Sequence, residues 1–143
     1  VNAFRFLVKP FEKEDLYEAL DSVIKNLAKT AYIVVKDTVN QKNITIPENE
    51  IIYAQADNIY AEVVTAQGIF LYSNKISLLE KELNEAYFYR SNRSYIVNFN
   101  YIIGYSKKEI EFSNGQKALI SSSKFKDFKS KYLNYLKRKS IGE

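Results

Sequence analysis

The densest run of side chains able to do chemistry is FYRSNRSYIVN, residues 88–98. Arg90, Ser91, Asn92, Arg93 and Ser94 are five hydrogen-bonding residues in succession, set between aromatic and apolar neighbours. An arginine fork matches the O6/N7 edge of guanine or a phosphate, and an asparagine amide pairs bidentately with adenine. A loop carrying all of these has the chemistry to enter a nucleic-acid groove. A plainer arrangement is also open, in which Arg90 pairs with a nearby acid and Asn92 caps a turn. Tyr95, Ile96 and Val97 are expected in the core, where they would hold Arg90 to Arg93 rigidly enough for base readout.

Other chemistries are excluded by composition. The chain has no histidine and no cysteine, so zinc sites, Ser-His-Asp triads, Cys-His pairs and disulfides are unavailable. Glu109 and Glu111 alternate on a solvent-facing strand and are a poor acid/base pair. No catalytic residue, cofactor or metal is expected, and the protein is not expected to be an enzyme.

The formal charge of +4 conceals an asymmetry. Residues 1–89 carry 9 Lys+Arg against 13 Asp+Glu, a net of −4, whereas residues 90–143 carry 12 against 4, a net of +8. A basic half attracts polyanions, either nucleic acid or an anionic membrane surface. The apolar runs are too short to cross a bilayer and no signal-peptide pattern opens the chain, so a soluble, cytoplasmic protein is expected. Methionine is absent even at position 1, and Val1 is therefore not expected to be the natural start.

Periodicity supplies the elements that must position the 88–98 motif. Residues 12–29 place Leu16, Leu20, Val23, Ile24 and Leu27 at helical spacing, after a strand-like FRFLVKPF that stops at Pro10. From Tyr32 the texture is short strands: 32–36, 43–47, 50–56, 59–65 and 68–73, separated by Asp, Asn, Pro and Gly turn residues. Tyr53, Phe70, Tyr72 and Phe112 are expected on apolar strand faces. A capping box, Ser77 as N-cap with Glu80 three residues on, predicts a short helix burying Leu78, Leu79 and Leu83. Glu109–Phe112 and Gln116–Ser121 flank Asn114-Gly115, a strong hairpin signal. Residues 123–139 predict a basic amphipathic helix with Phe125, Phe128, Tyr132, Leu133 and Leu136 on its buried stripe.

The run FYRSNRSYIVN, preceded by SLLEKEL and followed by the Asn-Gly hairpin and a Ser-rich turn, resembles the LytTR DNA-binding domain. Phe88, Tyr89, Arg90, Asn92, Arg93, Ser94, Tyr95, Val97 and Asn98 stand at positions of that family's F-[FY]-R-x-[HN]-[RN]-S-[YF]-x-V-N pattern. The likeness spans roughly residues 32–136. It implies a mainly β, elongated arrangement of three small antiparallel sheets with short helices. It also implies binding to direct repeats in promoters through loops that enter the major groove. Carried over by position, Arg90, Asn92 and Arg93 would line one contacting loop and Asn58 and Tyr60 a second. Ser122, Ser123, Lys124 and Lys126 would lie in a third. Neither Ser122 nor Ser123 is the arginine that the family usually places there.

Phe6-Leu7-Val8-Lys9-Pro10-Phe11 and the following helix resemble the last strand and helix of a response-regulator receiver domain, with Lys9 at the phosphate-contacting lysine and Phe6 at the switch aromatic. The implied organisation is a receiver remnant over 1–29, a LytTR-type domain over 30–139 and a tail over 140–143. The implied partners are double-stranded promoter DNA, a second copy held through the N-terminal helix and, for a full-length protein only, a sensor histidine kinase. The alternative is a non-enzymatic β module that binds proteins or a membrane surface, with weakened DNA binding.

Overall fold

The structure is a computed structural model that describes residues 31–140. The expected strand before Pro10, the helix over 12–29 and the tail beyond Ser140 lie outside the described residues. The chain divides into two units between Ala31 and Tyr32, and the second unit holds every described strand and helix.

That unit is mainly β. Its strands are β1 (Tyr32–Asp37), β2 (Lys42–Pro47), β3 (Ile51–Asp57), β4 (Tyr60–Thr65), β5 (Gly68–Tyr72), β6 (Phe88–Asn92), β7 (Tyr95–Asn98), β8 (Ile102–Tyr105), β9 (Glu109–Phe112) and β10 (Lys117–Leu119). The helices are α1 (Ile76–Glu82) and α2 (Phe125–Ser140). All pairings are antiparallel. Strands β2-β1-β5-β4-β3-β7-β6 form one sheet and β10-β9-β8 another. The β1–β2 hairpin joins the larger sheet through one registered pair, Lys36 with Leu71. Hydrogen bonding at that point makes one sheet of what the resemblance would divide in two.

Turn residues account for the hairpins. Asp37 Oδ1 accepts from the main-chain N–H groups of Val39 and Asn40 at 3.0 and 3.2 Å, closing β1 onto β2. Gly115, at φ 87°, supplies the left-handed residue between β9 and β10, and Asn114 Oδ1 accepts from Gln116 N at 2.9 Å.

The large sheet is buried on one face and, around β3, β4 and β7, on the other as well, while Tyr32 and Val34 of β1 and Ile69 of β5 are exposed. One face carries Ile33, Val35, Ala61, Val63 and Ile96 and is covered by Ile76, Leu79 and Leu83 of α1 and the residue after it. The other carries Tyr53, Val64 and Val97 and is covered by Ile110, Phe112 and Ala118 of the small sheet and by Phe128 and Tyr135 of α2. A bulge between Ile51 and Tyr53 lets consecutive β3 residues serve opposite cores: Ile51 and Ala54 face the first, Ile52 and Tyr53 the second. Asn98, fully buried, donates Nδ2 to the Ile51 carbonyl at 2.8 Å beside that bulge and accepts from Asn100 N at 2.9 Å. Tyr53, Tyr72 and Phe112 are buried as expected, and Phe70 is half-buried.

Two expectations need correction. The capping box does not form: α1 starts at Ile76 with Lys75 at the N-cap position and no side-chain cap bond. The early start buries Ile76 under the sheet, so the covered positions are 76, 79 and 83, while Leu78 is exposed. On α2 the buried line is Phe125, Phe128, Tyr132 and Tyr135, and Leu133 and Leu136 are exposed. Aromatic stacking selects that line: Phe128 lies 5.7 Å from Tyr132 and 6.0 Å from Phe99, and Phe99 lies 5.4 Å from Tyr135.

Candidate nucleic-acid interface

Strands β6 and β7 pair Phe88 with Asn98, Tyr89 with Val97 and Asn92 with Tyr95, leaving Arg93 and Ser94 as the turn. Asn92 Oδ1 accepts from Ser94 N at 2.8 Å and shapes that turn. The register shifts between Tyr89 and Asn92, so Arg90 and Ser91 together face one residue of β7.

The bulge gives each of the two a separate partner set. Arg90 donates Nε to the Asn92 carbonyl at 3.0 Å, Nη1 to Glu80 Oε1 of α1 at 2.8 Å, and Nη2 to the Arg93 carbonyl. Its side chain is only 15% exposed. The plainer arrangement is therefore present in both its parts, with Arg90 paired to an acid and Asn92 capping a turn. Ser91, fully buried, donates Oγ to the Leu119 carbonyl at 2.8 Å and accepts at its own carbonyl from Ser121 N at 2.8 Å. Arg93 is exposed, and its side chain makes no hydrogen bond or ion pair among the described residues.

Strand pairing brings the other loops to this turn. Ala56 N donates to the Ser94 carbonyl at 2.8 Å, so the β3–β4 hairpin projects at the same end of the sheet as Arg93. At its tip Asn58 has φ 56° and, with Ile59, separates the paired residues Asp57 and Tyr60. Asn58, Ile59 and Tyr60 are all exposed. On the opposite side of β7, edge strand β6 holds Ser121 through Ser91, which places the Ser122–Lys124 turn there. Ser122, Ser123 and Lys126 are exposed. Lys124 is half-buried: its Nζ donates to the Arg90 carbonyl at 3.0 Å and lies 5.9 Å from the centre of the Tyr89 ring. Of the sequence-derived candidates, Asn58, Tyr60, Arg93, Ser122, Ser123 and Lys126 thus present outward. Arg90 and Lys124 brace, and Asn92 shapes the turn.

Two tyrosine hydroxyls tie β6 and the residue before it to other elements. Tyr89 OH donates to Asp127 Oδ2 of α2 at 2.9 Å, and burial followed by this hydrogen bond pushes its pKa well up. Tyr87 OH donates to Glu48 Oε1 at 2.6 Å, and burial and that carboxylate likewise raise its pKa. Glu48 is fully buried and also accepts from Asn84 N at 3.3 Å, tying the segment before β3 to the one after α1. Sequence reasoning misses Glu48 and Ser91 as braces, because the partners lie 39 and 28 residues away. No cluster able to hold a metal ion occurs among the described residues, and no described helix is long and apolar enough to cross a membrane.

The LytTr DNA-binding domain family matches residues 41–133, which takes in all three projecting turns. The chain belongs to the LytTR family. It is 27% identical to the transcriptional regulatory protein LytR of Staphylococcus aureus (strain MW2), over 91% of this chain and 61% of that protein. It is 26% identical to the sensory transduction protein LytT of Bacillus subtilis (strain 168), over 71% of this chain and 46% of that protein. The chain thus spans about half to three-fifths of the length of these relatives. Its fold matches the solved LytTr DNA-binding domain of a response regulator from Bacillus cereus, with a TM-score of 0.62 and 22% identity, covering 72% of this chain and 96% of that one.

Proposed function

We propose that the LytTR domain of this chain binds promoter DNA sequence-specifically, as the output domain of a response regulator, and performs no catalytic step. The observation that carries the reading is the convergence of three exposed turns, knitted by the Ala56–Ser94 and Ser91–Ser121 main-chain bonds, with the exposed Arg93 fork, unpaired among the described residues, on the central one. Turns held by main-chain bonds meet the rigidity that base readout demands. In this reading Arg93, Asn58 and Tyr60 face base edges, with Asn92 shaping the loop beside them. Lys126 grips phosphate, and Ser122 and Ser123 supply hydroxyl groups where an arginine is missing. Arg90 and Lys124 serve from behind.

Residues 1–29 are assigned in the same proposal to the end of a receiver domain. Alignment with LytR over 91% of the chain supports this, since residues beyond 30 alone could not supply that coverage. Direct repeats in the DNA, a second copy joined through the N-terminal helix, a sensor kinase for the full-length protein and a cytoplasmic location complete the proposal.

The test is fluorescence-anisotropy titration of the chain against duplexes selected from a random pool, at two salt concentrations. Saturable binding that prefers selected over scrambled duplex is expected. Binding that follows salt but ignores sequence would overturn the reading and favour a basic surface for membranes or proteins.

A further inference from the structure

Two residues turn the chain between β3 and β4, and only one of them is chemically suited to a turn. Asn58 takes the left-handed conformation, φ 56°, that asparagine tolerates. Ile59 is a β-branched residue whose preference is for strand interiors. It is 59% exposed and belongs to neither hydrophobic cluster. The turn therefore draws no folding advantage from an isoleucine at this point.

The hairpin that displays Ile59 also differs in charge from the other two turns. From Gln55 to Thr65 there is no lysine or arginine, and the charged residues are Asp57 and Glu62. An acidic ribbon is repelled by phosphates, so gripping the DNA backbone is not what this hairpin is built for. Yet the Ala56–Ser94 bond fixes it beside Arg93, at the end of the sheet where the DNA would lie. A two-stranded ribbon fits the major groove, and the one apolar group displayed on base edges there is the thymine C5 methyl.

We infer that Ile59 is a specificity-determining residue that selects thymine by packing against its C5 methyl. The inference rests on the DNA-binding reading above and adds to it an apolar element of readout. The Asn58 amide beside it accounts for hydrogen bonding to a neighbouring base. The hairpin then contributes sequence preference and little salt dependence.

Replacing thymine by deoxyuridine removes the methyl group and leaves every hydrogen-bonding group of the base pair in place. The experiment titrates the 143-residue chain and its Ile59→Ala variant against a selected duplex, made once with thymine and once with deoxyuridine throughout. The wild type is expected to bind the deoxyuridine duplex roughly fourfold more weakly for each methyl that Ile59 covers, from the value of one buried methylene. Ile59→Ala is expected to bind both duplexes alike. Because Ile59 is exposed, the variant should unfold at the same urea concentration as the wild type. Equal wild-type affinity for the two duplexes, with selected duplex still preferred over scrambled, would overturn this inference alone. A deoxyuridine penalty that survives in Ile59→Ala would also overturn it, locating the effect elsewhere. Loss of any preference for selected duplex would overturn the DNA-binding reading and this inference together.

Discussion

Arg90 holds the main chain of Arg93: its Nη2 donates to the Arg93 carbonyl, while Nε takes the Asn92 carbonyl at 3.0 Å and Nη1 takes Glu80 at 2.8 Å. One planar group therefore fixes both residues at the turn and anchors them to α1. A lysine keeps the charge but is a point donor that cannot span three acceptors in different directions. Arg90→Lys should weaken binding to a selected duplex by about 1–2 kcal/mol, the order of one or two lost hydrogen bonds. Affinity for random DNA should be unchanged. Anisotropy titrations against both duplexes check this; unaltered specific affinity would mean that the turn keeps its shape without the fork.

Arg93 is the complementary case, exposed and with its guanidinium uncommitted among the described residues. Arg93→Ala should cost about 1–3 kcal/mol on the selected duplex and little on random DNA. An equal loss on both would make Arg93 a phosphate contact. Urea unfolding should not change, since no described side-chain hydrogen bond is removed.

The strands over 32–72 and the β9–β10 hairpin were legible in the sequence to within about two residues because β-branched and aromatic runs alternate with Asp, Asn and Gly turns, and those are local signals. Strands β6, β7 and β8 were not: the polar run Arg90–Asn92 reads as loop, yet cross-strand pairing with β7 makes it strand and leaves only Arg93 and Ser94 in the turn. The reach of Arg90 was not legible either. Its acidic partner Glu80 lies on a helix whose own start is set by the burial of Ile76, a tertiary matter that overrode the Ser77 capping pattern. The same holds for α2, where stacking against Phe99 favours Tyr135 over Leu133 and Leu136. The three turns could be named from the family pattern, but their meeting depends on the Ala56–Ser94 and Ser91–Ser121 bonds. Local periodicity carries no information about either.

Lys124 and Lys126 carry equal charge in different settings. Lys126 is exposed, so Lys126→Ala should reduce the slope of log K against log salt by about 1 and leave the preference between duplexes intact. Lys124 donates to the Arg90 carbonyl at 3.0 Å, so Lys124→Ala should also erode that preference. Titrations over several salt concentrations on selected and random duplexes separate the two. Identical behaviour of the variants would remove Lys124 from the bracing role.

Asn98 stands at the other end of β7 from the turn and serves stability. Its buried amide satisfies the Ile51 carbonyl at the β3 bulge. Asn98→Ala strands that carbonyl in the core and should cost about 1–3 kcal/mol. The check is the midpoint of urea unfolding. Specific DNA binding should persist below the new transition, because the bonds from Arg90 to the Arg93 turn lie elsewhere.

Alkaline pH tests a different bond. Tyr72 donates its hydroxyl to Glu82, and burial, then that hydrogen bond and the carboxylate charge, push its pKa up to about 12. A tyrosine held above its unfolded pKa of about 10 stabilises the fold fully below pH 10 and loses that contribution as pH rises toward 12. Tyr72→Phe has neither the bond nor the titration. The stability gap between wild type and Tyr72→Phe should therefore be constant from about pH 7 to 9 and shrink steadily from about pH 10 to 12. Urea unfolding of both proteins across that range measures it. A gap that stays constant throughout would show that the Tyr72 hydroxyl is not held by Glu82 in solution.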